Sequence, residues 1–194
     1  MNSSNPSVVE CIQEQELFWK SITGKCFDLR SGLRIPRRKN TTDVLLIIPR
    51  EGLVLPLVLL RTEKVLGIES NLEHQDVFQI AKSERPEWNY GIWCAWSSKP
   101  DFMQVSAEEF NSFYKKTNFF RAMNLTERLV FGLQFFAKKS EWPDTNSITL
   151  CASTEAHEGT VPSVEQRNGK LFIDVHLSSH KEPQMGARGV FFDP

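Results

Sequence analysis

Glycine and proline are scarce in the 194 residues, at ten each, which excludes a collagen-like or Pro/Gly-rich disordered chain. Cysteine is scarcer still. Cys11, Cys26, Cys94 and Cys151 contain no Cys-x-x-Cys pair, so neither a zinc ribbon nor a thioredoxin-like motif is present. Four cysteines in a chain of this length do not make a disulfide scaffold, and they read as buried thiols in a reducing compartment. An excess of one charge sign is missing too. Lys plus Arg number 23 against 24 Asp plus Glu, which removes the main electrostatic argument for a nucleic-acid binder. There is no long hydrophobic run. The most apolar segment, residues 44–60, is broken by Pro49-Arg50-Glu51-Gly52 and Pro56, whereas a membrane-spanning helix needs about 20 apolar residues. Glu10, Glu14 and Glu16 interrupt the first twenty residues, so no apolar core of an export signal forms. The expectation is a soluble, cytoplasmic protein with no membrane association.

Familiar catalytic templates are also lacking. The chain has no GxGxxG or GxxxxGK[ST] phosphate loop, no GxSxG elbow and no HExxH pair. What it does have is apolar bulk, with 14 Phe and 5 Trp in a composition that is 40% hydrophobic, more than a disordered chain carries. At about 150 residues per domain the length suggests one domain, residues 1–194. Residues 1–5 read as a frayed end and residues 84–88 as a candidate linker between two subdomains.

Local patterns then assign elements. Pro6 at a first helical position and Gly24 as a stop bracket an N-terminal helix, and residues 26–29 suggest a short strand. Residues 43–48 and 53–60 are apolar runs separated by Pro-Arg-Glu-Gly, the chemistry of a hairpin. Residues 71–82 suggest a helix, and Tyr90 to Trp96 an aromatic strand. Ser106-Ala-Glu-Glu109 and Asn124-Leu-Thr-Glu127 are two capping boxes. The first opens a helix with Phe110, Phe113 and Tyr114 turned inward. The second opens a helix over residues 124–139 that is apolar on most faces, hence central and buried. Strands follow at residues 147–152, 161–166, 170–177 and 189–192, with Asn168-Gly169 as a hairpin turn. Leu171, Ile173, Val175 and Leu177 alternate as one buried face. The fold class is therefore α+β, a mostly antiparallel sheet packed against three to four helices.

Two clusters could carry chemistry. Three of the four histidines lie between residues 157 and 180. Asp174 and His176 share a strand face, and His180, His157 and Glu155 lie close in sequence. Converged, they would form an open site for a divalent metal such as zinc, iron or manganese, that is, a metal-dependent enzyme. The same positions also suit the solvent side of a half-buried strand. The second cluster is the basic stretch of residues 25–39, in which Arg34, Arg37, Arg38 and Lys39 could hold a phosphate backbone while Trp88, Tyr90, Trp93 and Trp96 supply stacking surfaces. Overall neutrality favours a solvated loop there. With no template standing out, the leading expectation is a non-catalytic module that binds another protein or a second copy of itself, aromatic and arginine side chains being favoured at interface centres. Metal-dependent catalysis and weak nucleic-acid binding are the alternatives.

Overall fold

The structure, a computed structural model, describes residues 6–40, 42–51, 68–70, 80, 83–168 and 170–192. Of the expected hairpin, the strand of residues 53–60 lies outside them, and the helix of residues 71–82 lies largely outside them. Within the described residues the chain forms three helices and two sheets. In order these are α1 (Val8–Thr23), β1 (Val44–Ile48), β2 (Ile68–Ser70), β3 (Tyr90–Cys94), β4 (Phe102–Met103), α2 (Ala107–Tyr114), β5 (Phe120–Ala122), α3 (Leu125–Lys139), β6 (Ile148–Leu150), β7 (Thr160–Arg167), β8 (Lys170–Leu177), β9 (Met185–Ala187) and β10 (Gly189–Phe191). Residues 26–29 form no strand, and α1 starts two residues later than its proline suggests. Ser7 caps it, because the Ser7 hydroxyl accepts from Glu10 N–H while the Glu10 carboxylate accepts from Ser7 N–H.

Where one sheet is expected, the strands divide into two. Sheet 1 runs β1-β3-β10-β5, antiparallel throughout, and sheet 2 runs β2-β8-β7-β6-β9-β4. In sheet 2 the pairs β2–β8 and β6–β9 are parallel. The β7–β8 hairpin is the longest ladder, from Thr160 opposite Leu177 to Arg167 opposite Lys170, with Asn168 in the left-handed region at its turn. On β8, Leu171 and Ile173 are buried and Val175 packs against the core, but Leu177 is 62% exposed, the face having run past its cover. Among the described residues strand β1 is an edge, and a side chain takes up backbone groups of Leu45 and Ile47. Gln15 of α1 donates to Leu45 O and accepts from Ile47 N–H, and Gln134 of α3 donates to Gln15. An edge occupied in this way is closed to further strand pairing.

Helix α3 is buried from Leu125 to Phe135. It packs against β1 and β7, and its buried Thr126, Glu127, Arg128 and Gln134 each have a polar partner. The deepest pairing involves Arg128, Asp144 and Arg188, all fully or almost fully buried. Asp144 Oδ2 lies 2.9 Å from Arg128 and accepts from the Thr149 hydroxyl, and Asp144 Oδ1 accepts from Arg188 at 2.6 Å. Arg188 is the single residue between β9 of sheet 2 and β10 of sheet 1. Burial pushes the Arg128 guanidinium down from the usual arginine range, with Asp144 opposing that shift. The excess positive charge of two guanidiniums on one carboxylate faces aromatic rings. Arg128 stands 5.5 Å from the Trp142 ring centre and Arg188 4.5 Å from that of Phe131, distances at which a ring face attracts a cation.

This packing leaves no room at Gly132, where a Cβ would strike the Trp142 ring and lie 2.9 Å from the Arg128 guanidinium. Gly132→Ala should therefore destabilise the protein by about 1–3 kcal/mol, as overpacking does, despite alanine's better helix propensity. Urea unfolding measures this, and a variant as stable as the wild type would contradict the packing.

Candidate functional site

The β7–β8 register sets Ser163 opposite Asp174 and Val161 opposite His176, so Asp174 and His176 do share a face. The structure also brings His176 and His180 together, their rings stacked with centres 5.6 Å apart and planes 3° from parallel. Burial holds His176 below the usual histidine value, with the Asp174 charge opposing. Asp174 Oδ1 accepts from Val175 N–H, and His180 Nε2 lies 3.0 Å from Glu182. His157 stands in the turn entering β7, its N–H bound to the Thr160 hydroxyl. Glu155 faces a different cavity, described below. Among the described residues, no three His, Cys, Asp or Glu side chains are grouped as a metal site.

The basic stretch runs along sheet 1. Arg34 O accepts from Gly91 N–H, which lays the segment beside β3. From there it crosses the sheet face with its cations on aromatic rings: Arg34 3.8 Å from the Trp88 ring centre, Arg38 5.0 Å from Trp93 and Lys39 4.7 Å from Phe119. Arg38 also donates to Asn40 O and Asp43 O, and Arg37 is exposed. Of the four aromatic residues expected as stacking surfaces, only Trp88 is exposed. Trp93 is buried and donates to Pro36 O, the Tyr90 hydroxyl donates to buried Glu127, and Trp96 packs on Phe131 and Phe135.

Past the end of that segment, lined by Asn40 and Asp43, lies a cavity of about 430 Å³. The register of sheet 1 builds its floor: Phe191 pairs with Trp93 on one side and Phe120 on the other, so three rings stand abreast on one face. Gly189 permits this, because a Cβ there would collide with the Phe120 ring. Phe102 of β4 and Tyr114 of α2 close one side, stacking on Phe120 at 6.2 and 4.6 Å, and Phe119 forms the rim. Two carboxylates line it. Asp43, 6% exposed, has Oδ2 buried without a hydrogen-bond partner. Asp101 Oδ2 accepts from Gly189 N–H at 3.0 Å. Burial raises Asp101 above the usual aspartate range, Arg188 and that N–H oppose the shift, and the charges of Asp144 and Asp43 add to it. Sequence reasoning missed both acids. Asp43 looks like the polar start of a strand, Asp101 like a loop residue, and only the fold sets them on one cavity.

A second cavity, of about 650 Å³, lies between α2, β5 and the turn from Ala152 to Val161, with Lys115, Arg121, Thr154 and Glu155 on its walls. Thr154 connects it to the N-terminus of α3. There the Glu84 carboxylate accepts from Leu125 N–H, Thr126 N–H and the Thr126 and Thr154 hydroxyls. Residue 84, expected in a linker, thus anchors a helix start, where a negative charge is favoured. Cys94 and Cys151 are fully buried and their thiols are pushed far up by desolvation, which keeps them protonated and unreactive. Compared with known proteins, the chain matches no family model, no curated protein and no solved structure.

Glu84 gives the site region a pH signature. Burial, outweighing the hydrogen bonds, raises its carboxyl above the usual glutamate value of 4.5. Its stabilising contribution is complete below that pH and is lost as the pH rises through the folded value. Urea unfolding at pH 4.5 and 7 should therefore show the wild type losing stability relative to Glu84→Gln as the pH rises. A difference independent of pH would contradict it.

Proposed function

We propose that this chain is a non-catalytic binding protein that docks a protein partner on the face around the 430 Å³ cavity. One observation carries the reading. An aromatic-walled cavity opens beside two exposed phenylalanines, Phe119 at 45% and Phe113 at 82% exposed. Phe113 follows the α2 helix into Tyr114, which lines the cavity, their ring centres 6.0 Å apart. The helix was expected to turn Phe113 inward. Its actual exposure leaves a large apolar ring with no cover, and such rings set around a concavity mark interaction sites. Lys39 on Phe119 and Arg38 on Trp93 add the arginine, lysine and aromatic neighbourhood in which binding energy concentrates. In this reading residues 1–194 act as one α+β unit in the cytoplasm, its largely antiparallel sheets set around α3.

A second reading, a metal-dependent enzyme using zinc, iron or manganese at Asp174, His176 and His180, is favoured by the buried, unpartnered Nε2 of His176 beside the stacked His180 ring. Nucleic-acid binding through Arg34, Arg37, Arg38 and Lys39 is the third, and the rings under three of those cations engage them within the fold.

A photo-crosslinking residue placed at Phe113, with one at exposed Leu17 of α1 as control, separates these. The docking reading predicts one protein adduct from position 113 and none from 17. It also predicts that Phe119→Ala weakens binding to the captured partner at least about tenfold, as loss of an interface anchor does. Equal labelling from both positions would contradict it. One equivalent of bound metal, lost in His176→Ala, would favour the second reading, and salt-sensitive retention of an oligonucleotide the third.

A further inference from the structure

The 430 Å³ cavity combines two features that recognise one kind of ligand. Its walls are ring faces and edges from sheet 1, β4 and α2, and its acids are Asp43 and Asp101. Ring faces carry negative potential and draw organic cations, which keep an apolar neck in contact with the rings. A carboxylate at the end of such a cavity supplies the counter-charge.

The unpartnered Oδ2 of Asp43 is the second, independent observation. Buried acceptors in folded proteins are bonded almost without exception, and this oxygen, on a residue more than nine-tenths buried, has no donor. Arg38 donates to the carbonyls of Asn40 and Asp43. Asp101 Oδ2 accepts one backbone N–H, and Arg188, whose charge favours the ionised form of Asp101, is itself held bidentate by Asp144.

We propose that the cavity receives a basic side chain of the docked protein, an arginine or lysine whose cationic head bonds to the exposed Asp101 in the field of the Asp43 carboxylate, whose Oδ2 is sealed from solvent, while its alkyl neck lies against Phe120, Phe191 and Tyr114. The size fits: about 430 Å³ falls within the range of small-ligand sites. The inference rests on the docking reading and specifies what the partner presents.

The test uses the intact chain and three probes: n-butylguanidinium, its neutral isostere n-butylurea, and a capped Gly-Arg-Gly tripeptide. Binding is followed by the NMR signals of the Trp93 indole N–H, which bonds to Pro36 O, and of the Gly189 amide, which bonds to Asp101. The expected result is a saturable shift of both signals by n-butylguanidinium, with n-butylurea at least about tenfold weaker, since the difference between them is the charge. The tripeptide should bind more tightly than n-butylguanidinium. Asp101→Asn should weaken the cation at least about fivefold, read at the Trp93 indole, while leaving the free protein's spectrum unchanged away from Asp101 and Gly189. Asp43→Asn should do the same, and because Asp43 is buried the Asp101 variant decides if that protein does not fold. Equal binding of n-butylurea and the cation, or an Asp101→Asn variant that binds as well as the wild type, would overturn the proposal. So would a cavity that takes n-butylguanidinium but not the tripeptide, since its ligand would then be a free small cation. A crosslink from position 113 without a cation response overturns the cavity's chemistry and leaves the docking face standing. A cation response without a crosslink overturns the docking face and with it the docked side chain, the cavity then being a site for a free cation.

Discussion

A single carboxylate between two buried guanidiniums joins the parts of this molecule. Asp144 follows α3 in the chain, is bonded to Arg128 within that helix, and takes the Thr149 hydroxyl from β6. Its other oxygen holds Arg188, where the chain leaves sheet 2 for sheet 1. Arg188 also donates to Ser97 O, and Asp144 N–H donates to Ser98 O, which ties in the loop after β3. Desolvating three charges is costly, and the geometry offsets that cost only if all are paired. The group therefore admits few alternative arrangements. If Arg188 is held, β9 and β10 must diverge at that residue, one into each sheet.

The cavity follows from the same constraint. With Arg188 fixed, Gly189 is presented to Asp101 and Phe191 is set in register between Trp93 and Phe120. The segment carrying Arg34, Arg38 and Lys39 is then drawn over the sheet by Gly91, by the Trp93 indole and by ring faces. Three of the basic residues that look like a nucleic-acid contact in sequence thus have their charge placed on rings of the protein itself, two of which, Trp93 and Phe119, also line the cavity.

What could be read from the sequence was whatever local chemistry dictates. The capping boxes at Ser106 and Asn124 marked the starts of α2 and α3 correctly, because a reciprocal cap is a property of four adjacent residues. Gly24 ended α1, and the alternation of residues 170–177 marked β8. Strands β4, β5 and β9 gave no such signal. They are two or three residues long and exist only because a partner strand lies alongside. Phe113 was assigned to the core because phenylalanine usually belongs there, but α2 is covered on one stripe only, through Ala107 and Phe110. The charged residues of α3 were hidden for a related reason. Arg128 and Glu127 lie in the buried region because their partners, Asp144 on one side and Arg121 with Tyr90 on the other, come from elsewhere in the chain. For the candidate site, the shared face of Asp174 and His176 was legible from spacing, while the stacking of His180 on His176 and the meeting of Asp43 and Asp101 come only through the tertiary fold.

The central claim, that paired buried charge fixes how the two sheets join, is tested most directly by comparing the unfolding free energy of two variants. Asp144→Ala leaves two guanidiniums without their counter-charge and should cost about 3–5 kcal/mol, as breaking a buried pair does. The triple variant Arg128→Met, Asp144→Leu, Arg188→Met removes the charges together and should recover most of that loss. An Asp144→Ala protein within about 1 kcal/mol of the wild type would contradict the account, because the sheets would then be held together without the carboxylate.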